Sequence, residues 1–347
     1  MLYVTTRGTQ DAFTAYRTMN QDRGPDGGMF IPMRMPVLER SDLLLLAHRS
    51  FGQNVADVLN LFFGTKLSGW DVDVAIGKNV SVLKSIGNRI LIGELWHNAE
   101  GTFDRVVSGL ANRLHSESQL ETHTTDWVQV AIRIAVIFGV FGQLLKDDRV
   151  SFTKPMDVAV TSGSFAVPMA LWYAREMGLP IGNIICGCNE NGAPWELLHR
   201  GAVNTDAITI KTTTPEVDFA LPVGLERLIC GTLGQDEVAR YTWCCLEGRI
   251  YEPPESRMEE LRRNIFAAVV SEMRVQTIIP SVYRTNQYIL DIYSALAYGA
   301  LSDYRSSTGS FGTVLLLTEK SPMCNAATVA EYMRISTDDL KRLMAER

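Results

Sequence analysis

The chain has 347 residues, enough for a large core and for more than one domain, with 46% hydrophobic and 21% charged residues. Its formal net charge of −6 and isoelectric point near 5.5 argue against a nucleic-acid partner. The six cysteines lack zinc-type spacing and the five histidines are scattered, so reduced thiols and no metal site are expected. We read no apolar run of transmembrane length and no signal peptide at the start, so a cytoplasmic protein without a membrane partner is expected.

In chain order, Leu2 to Thr6 reads as a strand and Asp11 to Met19 as a helix. Pro25-Asp-Gly-Gly is a turn, followed by a short strand at Met29 closed by Pro32. Ser41 can cap a helix over Asp42 to Arg49, and Val55 to Phe63 repeats apolar residues at helical spacing. Arg89 to Trp96 reads as a strand, His97 to Gly101 as a loop, and Thr102 as the cap of a helix beginning at Phe103. A polar segment, His115 to His123, leads into Trp127 to Leu145, which is apolar nearly all round and so predicts a central helix.

The stretch from Val158 to Ile181 reads strand, small-residue turn, helix. Thr161-Ser-Gly-Ser164 places N–H groups and hydroxyls at the start of a helix over Phe165 to Met177, a ready site for a phosphate or carboxylate. The plainer reading is a βα turn whose serines cap the helix. Asn183 to Cys188 is a second buried strand, with Asn189 and Asn191 at the end where parallel sheets place their sites. Ala207 to Ile210 reads as a further strand, Leu225 to Leu233, Pro253 to Met273 and Asn286 to Ala300 as helices, and Gly312 to Thr318 as a late buried strand ending in Glu319-Lys-Ser-Pro322. Thr337-Asp-Asp-Leu begins a last capped helix. The alternation predicts an α/β class, with a mainly parallel sheet and helices on both faces.

Several motifs run in order along the chain: Tyr3-Val-Thr-Thr-Arg-Gly8, Pro25-Asp-Gly-Gly-Met-Phe-Ile-Pro32, Glu94-Leu-Trp-His97, Thr161-Ser-Gly-Ser-Phe165, Pro215-Glu-Val-Asp218 and Glu226-Arg227. Taken together, the chain resembles threonine synthase, a fold-type II pyridoxal-phosphate (PLP) enzyme. The resemblance implies that family's fold, and it implies that residues 161–165 form its phosphate loop. The departures are informative. In the register of the family's E-L-F-H-G-P-T-x-A-F-K-D, Asp104 stands where the lysine forms the Schiff base, and a carboxylate cannot form an imine. Only 17 residues separate Arg105 from His123, where the family carries a longer segment with its substrate-carboxylate loop. Ala166, Val167 and Pro168 replace other residues of the phosphate loop. No covalently bound PLP, and no cofactor at all, is therefore expected, with the smaller domain truncated. The expected organisation is a family-like region over 1–90, a remnant of the small domain plus a central helix over 91–150, and a large α/β domain over 151–347.

The candidate catalytic residues are His97, Asp104 and Glu94, a His–carboxylate grouping suited to acid/base work, with Glu100 nearby. The alternative is a structural histidine. Thr161, Ser162, Gly163, Ser164 and Phe165 are the candidate anion site, and Asn189, Asn191, Asp126 and Lys320 candidate lining. Three functions stay open: a PLP-independent enzyme performing elimination, isomerisation or cyclisation on a small anionic, amino-acid-derived metabolite; a non-catalytic pseudoenzyme binding a small anion or a partner protein; and a PLP-dependent lyase or synthase whose lysine is absent, with PLP held non-covalently, or relocated, Lys320 being the residue that would take its place. A homodimer or partner complex is expected, because a lost covering domain exposes apolar surface around 103–127.

Overall fold

The structure is a computed structural model that describes residues 1–9, 11–77, 81–87, 89–97, 101–118 and 124–346. The chain opens with a three-stranded antiparallel sheet in which β1 (Leu2–Thr5) lies between β2 (Phe13–Thr14) and β3 (Phe30–Pro32). The helix read over 11–19 is therefore a short strand followed by α1 (Ala15–Asn20). Three helices follow: α2 (Arg40–Leu45), α3 (Phe51–Phe63) and α4 (Gly69–Ile76). Ser50 caps α3 by accepting from the N–H of Gln53, and Ser68 with Asp71 forms a reciprocal capping box on α4. The N-cap of α2 is Glu39, not Ser41.

Strand β4 (Val82–Ile86) turns back antiparallel into β5 (Ile90–Glu94), and α5 (Phe103–Ser118) and α6 (Asp126–Lys146) follow. The predicted unit then appears as β6 (Met156–Thr161), α7 (Ala166–Glu176) and β7 (Ile181–Cys188). A helical turn α8 (Ala193–Trp195) widens into a π turn at Glu196–Arg200. The two short strands β8 (Val203–Asn204) and β9 (Ile250–Tyr251) pair across α9 (Leu225–Leu233) and α10 (Gln235–Glu247). The remaining elements are α11 (Met258–Arg262), β10 (Ile265–Val269), α12 (Glu272–Asn286), α13 (Ile292–Thr308), β11 (Val314–Thr318), α14 (Ala326–Met333) and α15 (Thr337–Ala345).

The main sheet has the order β10-β7-β6-β11-β5-β4, parallel throughout except for the antiparallel edge strand β4. Alternate residues feed two cores. Val158, Val160, Leu315 and Leu317 face the core shared with α3, α5, α6 and α7; Ala159, Val314 and Leu316 face the one built with α12 and α13. Helices therefore cover both faces, as the alternation predicts.

Further elements differ from the sequence reading, including the helix read over Asn286 to Ala300, which is the end of α12 followed by α13 from Ile292. Pro253 to Met273 is not one helix: it yields α11 and then β10, the edge strand of the main sheet. Ile265 to Val269 is a short apolar run, which periodicity cannot tell from a helix. Ala207 to Ile210 pairs with no strand, and Ile208 is 88% exposed. Helix α6 also corrects an expectation, because its 21 residues with mean hydropathy 1.9 are long and apolar enough to span a membrane. In this fold they are buried, packed by α3, α5 and α7. Of the polar segment His115 to His123, residues 119–123 lie outside the described residues. His115 itself ends inside α5, buried, with its ring bonded to the carbonyls of Ala111 and Met19.

Candidate functional site

A cleft of about 740 Å³, open mouth included, lies at the C-terminal ends of β6 and β11. That is within the range of small-molecule sites, and it is where parallel α/β sheets place them. Its floor is the turn Thr161 to Ser164 and the first residues of α7, Ala166 and Val167. Asp104, Arg133, Glu216, Tyr293 and Ser294 also line it, with Glu319 and Lys320 from just past the end of β11.

The turn is held by its backbone. Ser162 N–H donates to Gly187 O (2.9 Å), Phe165 N–H to Ser162 O (2.7 Å) and Gly224 N–H to Ser164 O (3.0 Å). Gly163 has φ 46° and Phe165 φ 70°, so the chain passes twice through the left-handed region before entering α7. For phenylalanine that conformation is costly; the Phe165 ring is fully buried in the core, which holds it there. Phe165 thus shapes the turn from beneath instead of lining the cleft. This geometry leaves the N–H groups of Gly163, Ser164, Ala166 and Val167 without a hydrogen-bond partner among the described residues. All four residues line the cleft at a helix N-terminus, the arrangement that binds phosphate. Pro168 sits inside α7 and is buried.

Lys320 lies over this floor. Its Nζ donates to Glu216 Oε1, stands 3.8 Å from Asp104 Oδ2 and sits 5.4 Å above the Tyr293 ring. The backbone fixes it: Phe103 N–H donates to Glu319 O (2.7 Å), Ser321 N–H donates to Gly101 O (2.7 Å), and Thr102 bridges Lys320. Beside it, Glu319 Oε1 and Arg133 Nε are shut off from solvent with no hydrogen-bond partner among the described residues. Burial pushes the Glu319 carboxyl above the usual carboxylate range, against the pull of the Arg133 charge. Ser294 is positioned by Asp291, which caps α13 at Tyr293 N (2.8 Å) and Ser294 N (3.1 Å). Burial raises the Asp291 carboxyl as well.

The three candidate catalytic residues are divided. Glu94 and His97 come together, but away from the cleft. Glu94 is fully buried; its Oε1 accepts from Tyr288 (2.7 Å), and its Oε2 meets Lys84 Nζ (3.2 Å) and His97 Nε2. His97 also stacks on Trp96 with ring centroids 4.4 Å apart. Asp104 instead lies in the cleft beside Lys320. Glu100 lies outside the described residues. Asn189 and Asn191 do not line the cleft. Asn189 is buried and donates to Thr214 (3.0 Å) and Asp218 (2.7 Å), while Asn191 exchanges two bonds of 2.8 Å with the backbone of Ile210. The pair pins the loop that carries Glu216. Asp126 pairs with the buried Arg227, which also reaches Phe30 O and so ties α6 and α9 to the N-terminal sheet. Among the described residues, no three His, Cys, Asp or Glu side chains converge on a metal position.

Reasoning from sequence missed Arg133, Glu216, Tyr293, Ser294 and Glu319. Arg133 carried a signal, as a cation in the apolar middle of a helix, and Glu319 another, as a charge at the end of a buried strand.

Residues 2–78 match the model of the threonine synthase N terminus. Threonine synthase-like 1 of Homo sapiens is 25% identical over 178 residues, covering 50% of this chain and 24% of that protein. Threonine synthase of Pseudomonas aeruginosa is 26% identical over 231 residues, covering 62% of this chain and 47% of that one. The chain thus spans less than half the length of these curated relatives. Among solved structures, PLP-bound threonine synthase from Brucella melitensis superposes with a TM-score of 0.84 at 17% identity, covering 96% of this chain and 91% of that one. The yeast threonine synthase gives a TM-score of 0.82 at 16% identity, covering 99% and 94%. These structures establish the fold. They also overturn the expectation that no cofactor belongs here, since the Brucella protein of this fold holds PLP. That expectation rested on Asp104, on the missing substrate-carboxylate segment and on the altered phosphate loop, whereas the cleft floor with its unpartnered N–H groups is present. The N-terminal segment, the sequence relatives and the fold of this chain all resemble those of threonine synthases.

Proposed function

We propose that the cleft binds PLP and serves a reaction on a small, anionic, amino-acid-derived metabolite other than threonine synthesis. The observation that carries this is the row of unpartnered N–H groups at Gly163, Ser164, Ala166 and Val167, which fits a phosphate group. Two further features fit an elongated polar ligand: the Ser162 and Ser164 hydroxyls beside the row, and the Tyr293–Ser294 wall fixed by Asp291. When bound, PLP supplies an electron sink for carbanion chemistry next to an amino group. The chain supplies the rest. The turn anchors the phosphate and thereby orients the ligand; Arg133 offers a cation to an acidic substrate group; Glu319, whose carboxyl burial raises above the usual carboxylate range, can exchange a proton within the cleft. Asp104 at the position of the family's lysine, together with the short 119–125 connection between α5 and α6, supports a reaction different from the family's own.

The test is a PLP titration of the purified protein by absorbance and fluorescence, with inorganic phosphate as competitor. Saturable binding displaced by phosphate is expected. An absence of phosphate-competed binding would overturn the proposal. Screening the PLP-loaded protein against amino acids and their O-acylated or O-phosphorylated derivatives then defines the substrate class.

A further inference from the structure

We infer that Lys320 is the amine that bonds the cofactor's aldehyde, an inference that rests on the PLP reading above. Three observations converge. Among the described residues, Lys320 is the lysine lining the cleft, and it shares the cleft with the phosphate-accepting turn. Its neighbours Glu319 and Ser321 are clamped to the 101–103 segment by two 2.7 Å bonds and it bridges Thr102, so the side chain is presented from a fixed point just past β11. Its Nζ meets the carboxylates of Glu216 and Asp104, which can take up the proton the amine must lose before attacking. The side chain is only 14% exposed, whereas Asp104 and Glu216 are 62% and 53% exposed at the cleft mouth. A surface lysine has no such enclosure.

The condensation balances without an oxidant or reductant. Nζ bonds the aldehyde carbon, the carbon–oxygen bond breaks, and two of the three ammonium hydrogens leave with the oxygen as water. Glu216 and Asp104 relay them. What remains is a protonated carbon–nitrogen double bond between Lys320 and the cofactor. On this reading the amine has moved from helix α5 to the neighbouring strand, and the carboxylate left on α5 at position 104 assists it.

The experiment is borohydride reduction of the protein mixed with one equivalent of PLP, followed by peptide mass spectrometry. Binding competed by inorganic phosphate is measured in parallel on wild type, Lys320→Ala and Lys84→Arg. The expected result is a near-stoichiometric pyridoxyl label on the peptide carrying Lys320 in wild type and Lys84→Arg. Lys320→Ala should show weakened binding that phosphate still displaces, with label reduced at least tenfold. Phosphate-competed binding with the label on another lysine, or with no label, would overturn the assignment of Lys320 while leaving the PLP reading in place. No phosphate-competed binding in wild type would overturn the PLP reading, and the assignment with it.

Discussion

Two clusters of ionisable side chains lie at the same end of the main sheet, and they differ in how far their polar atoms are engaged. Around Glu94, both carboxylate oxygens are engaged, by Tyr288 on one side and by Lys84 and His97 on the other, and the carboxylate is fully buried. In the cleft, four backbone N–H groups, Arg133 Nε and Glu319 Oε1 have no partner among the described residues. A buried polar group left unsatisfied in a native fold calls for a ligand or a chemical role, while a satisfied one is structural. Residue type alone points the other way here: His97 with Glu94 resembles an acid/base pair, and its bonding makes it part of the scaffold.

Breaking the engaged cluster should have the largest effect. Glu94→Ala leaves Tyr288, Lys84 and His97 facing a buried hole, and should cost about 3 kcal/mol of stability in urea unfolding, with phosphate-competed PLP binding retained in the folded fraction. A loss below about 1 kcal/mol would mean the cluster is not structural. Ser164→Asp attacks the other side of the contrast. It places a carboxylate on the phosphate floor and should weaken PLP binding at least tenfold, about 1.4 kcal/mol, with little change in unfolding. Unchanged affinity would reduce the turn to a capped helix start. His97→Ala should lower stability by about 1 kcal/mol without altering PLP affinity. Abolished turnover at full stability would instead return His97 to catalysis. The smallest effect concerns pH. Burial raises the folded carboxyl of Glu319 above its unfolded value, so the stability it contributes is full below the ordinary carboxylate range and is lost as pH rises through the folded value. Glu319→Gln removes that titration. Melting curves taken from about pH 4 toward neutrality should show wild type losing ground to the variant, and parallel profiles would contradict the burial assigned here.

Much of the fold was legible because buried parallel strands are written in unbroken apolar runs. Val158–Val160, Ile184–Cys188 and Val314–Leu317 all stand in the sheet. Strand β10 was hidden because Ile265–Val269 follows charged helical residues, and its identity depends on pairing with β7. Ile208 and Ile210 have strand-forming side chains and no strand, since no strand lies beside them and the backbone of Ile210 is taken by the Asn191 side chain. At the site, the 161–164 turn is contiguous and could be read directly. Lys320, Arg133, Glu216 and Ser294 come from four separate elements, and only the sheet order shows that they meet. The separation of Asp104 from His97 was illegible for the same reason: seven positions apart in the chain, they belong to different pockets of packing.

The place of β11 has a consequence for how this protein is made. It inserts between β5 and β6, so Thr318 joins Gly93 across 225 positions. Until that late strand emerges, β5 and β6 present open edges to each other's vacant side, and the chain must hold them apart from other edges for most of its synthesis. Closing so long a loop is slow, and the cleft cannot exist before it closes, because Glu319 and Lys320 arrive with that strand. Ligand binding at the cleft therefore requires the inserted strand, and a cofactor that binds there would stabilise the completed sheet over chains in which β11 has not yet joined it.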